Sequence, residues 1–448
     1  MPGSVASAPH LRRIGSVLTI GSVAAILFAT LLPDSGQPVD SHLCLVCGTL
    51  GGVDSVLNVL LFFPLGVGLA LSGIPWNRAV LTACVLSLAV ETTQLFFIPG
   101  RDATLGDVLT NTVGGALGFA VARNAGIWLR PTPRIAAILA LAWCTAWLTI
   151  QAISSFAFAP SIPDSGYFGQ IAPKLGNFAV FPGRVLAARI DDVAITDTKL
   201  NDIDSVGRRL LGGASVAATV VPGGPTSDIA PIVRVADDEQ REIVLLAQDE
   251  QSLLFGVRTR AAILRLRPPL FAMAGVFTGD VSKVNSSGAS KRSYSAADPI
   301  SLSGTYDGRE ARLTVRTDSS SGERLVSVSS SLGWTLALPF QWSIEDTKTE
   351  LVVSWIWMAC LMVPTGYWGV HVTHSDPHAN ATFVVLCLLG GVAILIAGLV
   401  PEQHAFGLPA APLRDWLAVV SGIVAGGAFA LRAENVGRGG GSRSLGGE

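Results

Sequence analysis

Charged residues are scarce in this 448-residue chain: Asp, Glu, Lys and Arg together make up 14% of it, against about 25% in an ordinary soluble domain. Hydrophobic residues make up 50%. An excess of one sign is also lacking, since 31 Lys and Arg residues face 33 Asp and Glu residues. This composition argues against a wholly soluble protein and against a nucleic-acid binder, which would carry a basic field.

Motifs of several enzyme classes are missing as well. The chain has no phosphate-binding P-loop, no nucleophile elbow and no H-E-x-x-H pair, so ATPase, serine hydrolase and zinc protease activities are not indicated. His371, His374 and His378 have a spacing that could bind a transition metal. Solvated histidines at a helix end are the commoner arrangement, so we predict no metal site and no cofactor, and a non-enzymatic role is favoured.

The few charges are unevenly distributed. Residues 160–350 hold 42 of the 64 charged residues, and the rest of the chain is strongly apolar. A bilayer core is crossed by about 20 mostly apolar residues in a helix. The pattern predicts a multi-pass α-helical membrane protein with an all-β domain inserted into it. Eight apolar runs are the predicted spans: Ile14–Leu32, Val53–Leu71, Ala79–Phe97, Asp107–Ala122, Ile135–Ala159, Leu351–Val370, Ala381–Val400 and Trp416–Leu431.

Arginines near the helix ends predict the orientation, because cytoplasmic loops carry an excess of positive charge. Nine arginines mark one side: Arg12, Arg13, Arg78, Arg123, Arg130, Arg134, Arg432, Arg438 and Arg443. The opposite side has only Arg101 and Arg414. We therefore expect a plasma (inner) membrane protein with both termini cytoplasmic and residues 160–350 extracytoplasmic. The first run is longer than the core of a signal peptide and lacks a clear cleavage site, so it is interpreted as a retained helix.

The domain boundaries follow from the same patterns: a five-helix region over 14–159, the β domain over 160–350, three helices over 351–432, and a Gly/Ser/Arg-rich tail over 433–448 expected to be disordered. Within the β domain, Arg241–Gln248 and Ser252–Arg260 flank a short polar loop and predict a hairpin. Ile232–Val235, Ala311–Thr317, Leu325–Ser330 and Trp334–Leu338 are further predicted strands. Short strands separated by turn residues indicate a two-sheet sandwich.

Two segments of this sandwich, Glu242–Leu246 and the Gly304–Gly308 stretch with its Tyr-Asp-Gly turn, resemble the concanavalin A-like or laminin-G-like lectins. The resemblance implies glycan binding.

Polar residues cluster in the predicted helices, where they are costly and therefore mark function by default. Asp54 and Asn58, Glu91 and Gln94, and Asp107 and Asn111 lie near the outer ends of the second, third and fourth helices, and Arg101 lies in the loop between the last two. At 1.5 Å per residue, Asn58, Glu91 and Asn111 each lie roughly 7–10 Å from the outer helix ends. Three interpretations remain open: a polar lock between helices, a ligand-recognition site, or a catalytic centre.

The same residues carry a family resemblance. The patterns are D-x3-N-x5-P-L-G from Asp54, E-x2-Q from Glu91, then Arg101, and D-V-x2-N-T-x-G-G from Asp107. In order, spacing and membrane context they resemble the VanZ-like membrane proteins over about residues 15–125. That family is associated with low-level teicoplanin resistance, and it implies Asp54, Asn58, Glu91, Gln94, Arg101, Asp107 and Asn111 as the pattern positions. VanZ-like proteins often have only four or five helices, so the second half of this chain departs from the pattern.

Of the six cysteines, Cys44 and Cys47 form a C-x-x-C in the first outer loop. In an oxidising compartment a local disulfide is favoured over half of a metal site.

The first functional hypothesis is recognition or shielding of a lipid-linked or glycan ligand at the outer leaflet, linked to glycopeptide tolerance. The alternatives are a membrane enzyme acting on an envelope lipid, with Asp107 or Glu91 as general base, and a membrane anchor for a glycan-binding sandwich. The expected partners are membrane lipids and a glycan or lipid-linked cell-wall precursor, with no nucleic acid.

Overall fold

The computed structural model of the protein describes residues 9–32, 44–98, 103–176, 178–200, 203–278, 298–318, 320–373, 381–399 and 411–441. Its contacts divide the chain into two units. The membrane unit comprises Met1–Trp147, Ala359–Ile396 and Val419–Glu448. The β unit comprises Leu148–Met358 and Ala397–Ala418.

The described residues form ten α-helices: α1 (Pro9–Leu31), α2 (Gly51–Leu71), α3 (Trp76–Phe97), α4 (Leu105–Arg123), α5 (Ala125–Leu129), α6 (Pro133–Phe158), α7 (Ile203–Leu211), α8 (Lys348–Thr373), α9 (Ala381–Leu399) and α10 (Leu413–Gly441). Seven of them, namely α1, α2, α3, α4, α6, α8 and α10, are long and apolar enough to cross a membrane. The remaining predicted span, Ala381–Val400, corresponds to α9, in which Val385–Ile396 forms a shorter apolar stretch. The prediction of a multi-pass helical membrane protein with a β domain is confirmed.

The last helix is longer than its apolar run. It continues to Gly441 and so includes residues 433–441, which the composition assigned to a disordered tail. The segment Leu431–Asn435 continues the helix with residues of fair helix propensity before the glycines begin. Residues 442–448 lie outside the described part of the chain.

Helices α1 to α4 pack around a shared apolar core that includes Ile26, Phe62, Leu65, Val90 and Phe119. Glycines bring the backbones of α2 and α4 together. A Cβ added to Gly66 would overlap the Gly115 carbonyl oxygen, and one added to Gly118 would overlap the Phe63 carbonyl oxygen. Small residues permit such close approach in membrane helices, where packing rather than the hydrophobic effect drives association.

A second cluster in the membrane unit joins α6, α8 and α10. Ala137 and Ala140 pack with Tyr367 and Trp368, and Ala430 completes the cluster. The Trp143 indole N–H donates to the Leu361 carbonyl oxygen at 2.5 Å, and the Tyr367 hydroxyl donates to the Leu129 carbonyl oxygen at 2.6 Å. Indole and phenol groups buried in an apolar setting need such acceptors.

The β unit contains two six-stranded sheets. The β5 sheet has the order β1 (Tyr167–Ile171), β5 (Ala230–Asp237), β6 (Glu242–Asp249), β7 (Ser252–Val257), β8 (Leu270–Met273) and β12 (Ser343–Ile344). The β9 sheet has the order β11 (Ser321–Ser327), β10 (Glu310–Arg316), β9 (Ile300–Tyr306), β4 (Val216–Val221), β2 (Arg184–Ile190) and β3 (Val193–Ala194). All pairings are antiparallel except that of β12 with β8.

The two sheets share one hydrophobic core, as a sandwich requires. Phe271 of the β5 sheet and Tyr306 of the β9 sheet have ring centroids 4.8 Å apart. A Cβ added to Gly304 of the β9 sheet would overlap the ring of Phe255 in the β5 sheet. The Tyr306 hydroxyl donates to the Phe158 carbonyl oxygen at 2.7 Å. Burial, and then the Asp307 carboxylate, raise the pKa of Tyr306 well above its usual range, so this phenol remains a donor.

The predicted hairpin is confirmed: β6 and β7 pair antiparallel, with Asp249 opposite Ser252. The Tyr-Asp-Gly turn links β9 to β10, and Gly308 has φ +92° there.

The prediction of a strand at Trp334–Leu338 is wrong, because Ser330–Ala337 is a 3₁₀-helical segment. The buried positions are the pair Ser331 and Leu332 and then the pair Thr335 and Leu336, with less buried residues between them. Adjacent buried residues that recur after four positions have helical spacing, whereas a half-buried strand buries every second residue.

Candidate functional site

The predicted polar residues lie where α2 begins, α3 ends and α4 begins, at one end of the α1–α4 bundle. Thr104 is the N-cap of α4, and its hydroxyl oxygen accepts from the Asp107 backbone N–H at 3.1 Å. A threonine followed three residues later by an acidic residue is a capping pattern. This cap fixes the first turn of α4 and with it the direction of the Asp107 side chain.

Asp107 is held from two helices. The Asn58 side-chain amide of α2 donates to Asp107 Oδ1 at 2.6 Å, and the Thr104 hydroxyl donates to Asp107 Oδ2 at 2.7 Å. Two of the predicted residues, Asn58 and Asp107, are thus in direct contact across the glycine-lined α2–α4 interface. The contact is polar in a segment whose composition otherwise suits the bilayer. Removing the Asn58 and Asp107 side chains from water costs free energy, and their hydrogen bond favours one register of α2 against α4.

Glu91 of α3 joins the same group through Thr104. The Thr104 backbone N–H donates to Glu91 Oε2 at 3.0 Å. Glu91 is 6% exposed, and within the described part of the chain this is the hydrogen bond that its carboxyl makes. One residue, Thr104, therefore touches both carboxyl groups of the site, with its backbone N–H on Glu91 and its hydroxyl on Asp107.

Asn111 of α4 lies one turn further along that helix than Asp107. Its amide N–H donates to the Ser87 hydroxyl of α3 at 2.9 Å. The Asn111 side-chain oxygen is buried, and no described residue donates to it. Buried acceptors are satisfied in the great majority of native structures, so this oxygen is an open position in an otherwise bonded network.

The remaining predicted residues differ in their surroundings. The Gln94 amide donates to the Thr30 carbonyl oxygen of α1 at 2.8 Å, which ties α3 to α1 and not to α4. Asp54 is exposed, one turn before Asn58 on α2. Arg101 lies outside the described residues. The structure therefore brings Asn58, Glu91, Asp107 and Asn111 together through Thr104 and Ser87, and it places Gln94 against a different helix.

Sequence reasoning missed Thr104. The signal was present, since Thr104 stands three residues before Asp107 at the start of an apolar run. The capping pattern does not by itself indicate that Thr104 bonds two carboxyl groups, because the contact with Glu91 depends on how α3 packs against α4.

Cys44 and Cys47 form a disulfide with their Cα atoms 5.6 Å apart. The Gly106 backbone N–H donates to the Cys44 carbonyl oxygen at 3.2 Å. A Cβ on Gly106 would overlap the Leu45 carbonyl oxygen. The disulfide loop therefore rests directly on the first turn of α4, beside Asp107.

Groups of three or more His, Cys, Asp or Glu residues able to hold a metal ion do not occur in the described part of the chain. Of the histidines with metal-ligand spacing, His374 and His378 fall outside it. The chemistry of the site is that of oxygen acceptors: two carboxyl groups and one amide oxygen, in a buried setting where each hydrogen bond is strong.

Replacing Thr104 with valine should remove the hydroxyl that bonds Asp107 while leaving the backbone N–H that bonds Glu91. Loss of an N-cap hydroxyl costs about 0.5–2 kcal/mol, so we expect a lower thermal midpoint for the purified protein in detergent. Thr104→Ser keeps the hydroxyl and is the matched control. Equal midpoints for the two variants would show that the Thr104 hydroxyl does not stabilise α4.

The fold and this site define a multi-pass membrane protein with a buried polar network at one end of a four-helix bundle. Residues 12–129, which contain α2 to α5 and most of α1, match the model of the VanZ/LLP1 family. The match supports a VanZ-like membrane region and leaves the β unit and the C-terminal helices outside it. No curated protein and no solved structure matches the chain.

Proposed function

We propose that this protein recognises or shields a lipid-linked or glycan-bearing ligand at the outer leaflet, through the site formed by α2, α3 and α4. The observation that carries the proposal is the pair of buried oxygen acceptors with spare capacity. The Asn111 side-chain oxygen has no donor among the described residues, and Glu91 receives one backbone N–H.

These open positions indicate the chemistry of the ligand. Both are acceptors, so a ligand that completes them must donate hydrogen bonds, as hydroxyl, amide and ammonium groups do. A carboxyl group 6% exposed in a membrane-spanning helix is expensive and is generally retained for function. Sugar hydroxyls and amide groups of a cell-wall precursor, presented on a lipid carrier, meet this requirement.

The VanZ-like match supports the same proposal. The family resemblance links this region to teicoplanin resistance, so glycopeptide tolerance is the expected phenotype. The arginine distribution supports cytoplasmic termini and an extracytoplasmic β unit. In this orientation the Asp54 end of α2 would lie at the outer leaflet.

The direct test is binding by the purified full chain in lipid nanodiscs. The probe is a polyprenyl-pyrophosphate carrying a disaccharide-pentapeptide, and the control is the same polyprenyl-pyrophosphate without the sugar and peptide. We expect saturable binding of the first and weak binding of the second, because the donors lie on the glycan and peptide. Equal binding of both would contradict recognition through the donor groups.

A second candidate function is an enzyme acting on an envelope lipid. It is favoured by one observation: Thr104 contacts both the Glu91 and the Asp107 carboxyl groups, and paired carboxyls can act as general acid and base. In this case Asp107→Asn would abolish turnover of the lipid-linked probe, which is measured by chromatography of the reaction products. Unchanged probe after long incubation with the wild-type protein would rule against the enzyme.

A further inference from the structure

The outer faces of the two sheets differ. In the β5 sheet both faces are buried: one faces the sandwich core, and the other carries a second buried cluster that includes Leu245, Ala247, Leu254 and Leu270. In the β9 sheet, burial alternates along the strands, as in β9 and β10. One of its faces lines the core and the other is open to solvent.

We define the open face of the β9 sheet by its register. The residues that share it are Arg184, Ala187 and Arg189 on β2, Ala217, Thr219 and Val221 on β4, Ser301, Ser303 and Thr305 on β9, Glu310, Arg312, Thr314 and Arg316 on β10, and Ser321, Glu323, Leu325 and Ser327 on β11. Arginine and small hydroxyl residues dominate this face, and no aromatic residue is among them.

The arginines of this face fall into two groups. Arg312 is neutralised, since it pairs with Glu323 at 2.8 Å and with Glu310 at 3.2 Å. Arg184, Arg189 and Arg316 are exposed, and within the described part of the chain none of them makes an ion pair. Three guanidinium groups are therefore available to an external anion.

Between these arginines lies a floor of small side chains. In one row across the sheet, Arg316 lies opposite Ser301, Ser301 opposite Thr219, and Thr219 opposite Ala187. Strands are about 4.8 Å apart, so β10 and β2 lie about 14 Å apart across this floor. On β2, Arg184 and Arg189 lie on either side of Ala187 along the strand. The floor presents hydroxyl groups between two cationic borders.

We propose that the open face of the β9 sheet binds a linear polyanionic glycan, a sugar chain that carries carboxylate or phosphate groups at intervals. The guanidinium fork of arginine binds carboxylate and phosphate groups with two parallel hydrogen bonds. The serine and threonine hydroxyls both donate and accept, as sugar hydroxyls require. The proposal concerns the β unit and does not depend on the helix site.

The composition of the face disfavours a protein partner. Protein interfaces are enriched in aromatic residues and methionine at their centre, and this face has neither. Among the described residues of these strands, the large exposed apolar side chains are Leu325 on β11, which is 44% exposed, and Leu186 at the bulge of β2, which is 47% exposed. The face instead presents arginine charges and hydroxyl groups, which are complementary to an anionic glycan.

The test uses the full chain in nanodiscs of zwitterionic lipid, with alginate oligosaccharides as the polyuronate probe and dextran of equal length as the uncharged probe. We expect alginate to bind and dextran not to bind, with affinity falling as salt is raised because exposed charges are screened. The triple variant Arg184→Gln, Arg189→Gln and Arg316→Gln should weaken alginate binding by about tenfold or more.

The matched control removes three positive charges from elsewhere in the β unit, by Lys174→Gln, Lys199→Gln and Arg265→Gln; all three side chains are exposed. This variant should bind alginate within about twofold of the wild type. Equal loss in both triple variants, or no alginate binding by the wild type at low salt, would overturn the proposal. Capture of anionic lipid vesicles, without alginate binding, would overturn it in favour of a membrane partner.

Discussion

Replacing Gly118 with alanine is expected to disrupt the α2–α4 interface and to lower the stability of the helix bundle. The added Cβ would overlap the Phe63 carbonyl oxygen. That atom belongs to the backbone of α2 and cannot rotate away, so the two helices must separate. Overpacking of this kind costs about 1–3 kcal/mol or more. The separation would also stretch the hydrogen bond from Asn58 to Asp107.

The same substitution at Gly21 is the control. Gly21 lies in α1, and a Cβ there meets no atom within 4 Å. Alanine is favoured over glycine in a helix by about 1 kcal/mol, so Gly21→Ala should leave stability unchanged or raise it.

The measurement is the thermal midpoint of each purified variant in detergent, followed by size-exclusion chromatography of the heated samples. We expect a large fall for Gly118→Ala and none for Gly21→Ala. A midpoint for Gly118→Ala equal to that of the wild type would mean that α2 and α4 do not approach as closely as their glycines indicate.

Changing Glu91 to glutamine should strongly weaken ligand binding while leaving the protein folded. Glutamine has the same shape, and its side-chain oxygen can still accept from the Thr104 backbone N–H. The second oxygen becomes an NH₂ donor, which would face a donor of the ligand. A buried polar group left without its hydrogen bond costs about 1–3 kcal/mol, so binding of the lipid-linked probe should weaken by about 5- to 150-fold.

Glu239→Gln makes the same chemical change on a β-unit side chain that is 69% exposed, and it should bind the probe as the wild type does. In cells that express the protein, Glu91→Gln should also abolish teicoplanin tolerance at unchanged membrane levels. Arg101→Ala is expected to behave in the same way, because an arginine could hold a phosphate of the lipid carrier. Full binding by Glu91→Gln would remove Glu91 from the site and would favour a purely structural role for the network.

The membrane helices could be predicted because the bilayer imposes a length and a composition on each run. The hairpin of β6 and β7 could be predicted because a short polar loop, Asp249–Gln251, stands between two apolar runs. The segment Trp334–Leu338 could not, since its apolar residues fit a strand and a helix equally well over so short a stretch. What distinguishes the two is burial of adjacent residues, Ser331 with Leu332 and Thr335 with Leu336, and this burial depends on the surrounding fold.

For the site, sequence reasoning identified which helices carry the polar groups but not how those groups pair. The distance of each residue from the helix ends grouped Gln94 with Glu91. In the structure the Gln94 side chain instead donates to the Thr30 carbonyl oxygen of α1. The rotation of one helix about its axis decides such pairing, and a single sequence contains little information on it. The glycines that bring α2 against α4 mark the face of each helix that meets its neighbour.

The hydrogen bond from Trp143 to Leu361 joins residues 218 positions apart in the chain. A ribosome adds about 5–20 residues per second, so the partner of Trp143 is synthesised about 10–40 s later. The α1–α4 bundle, whose contacts are local, can assemble early in that interval. Trp143 of α6 therefore lacks this acceptor until α8 has been synthesised. Biogenesis of this protein therefore has a built-in delay, set by the length of the β unit between the two helices.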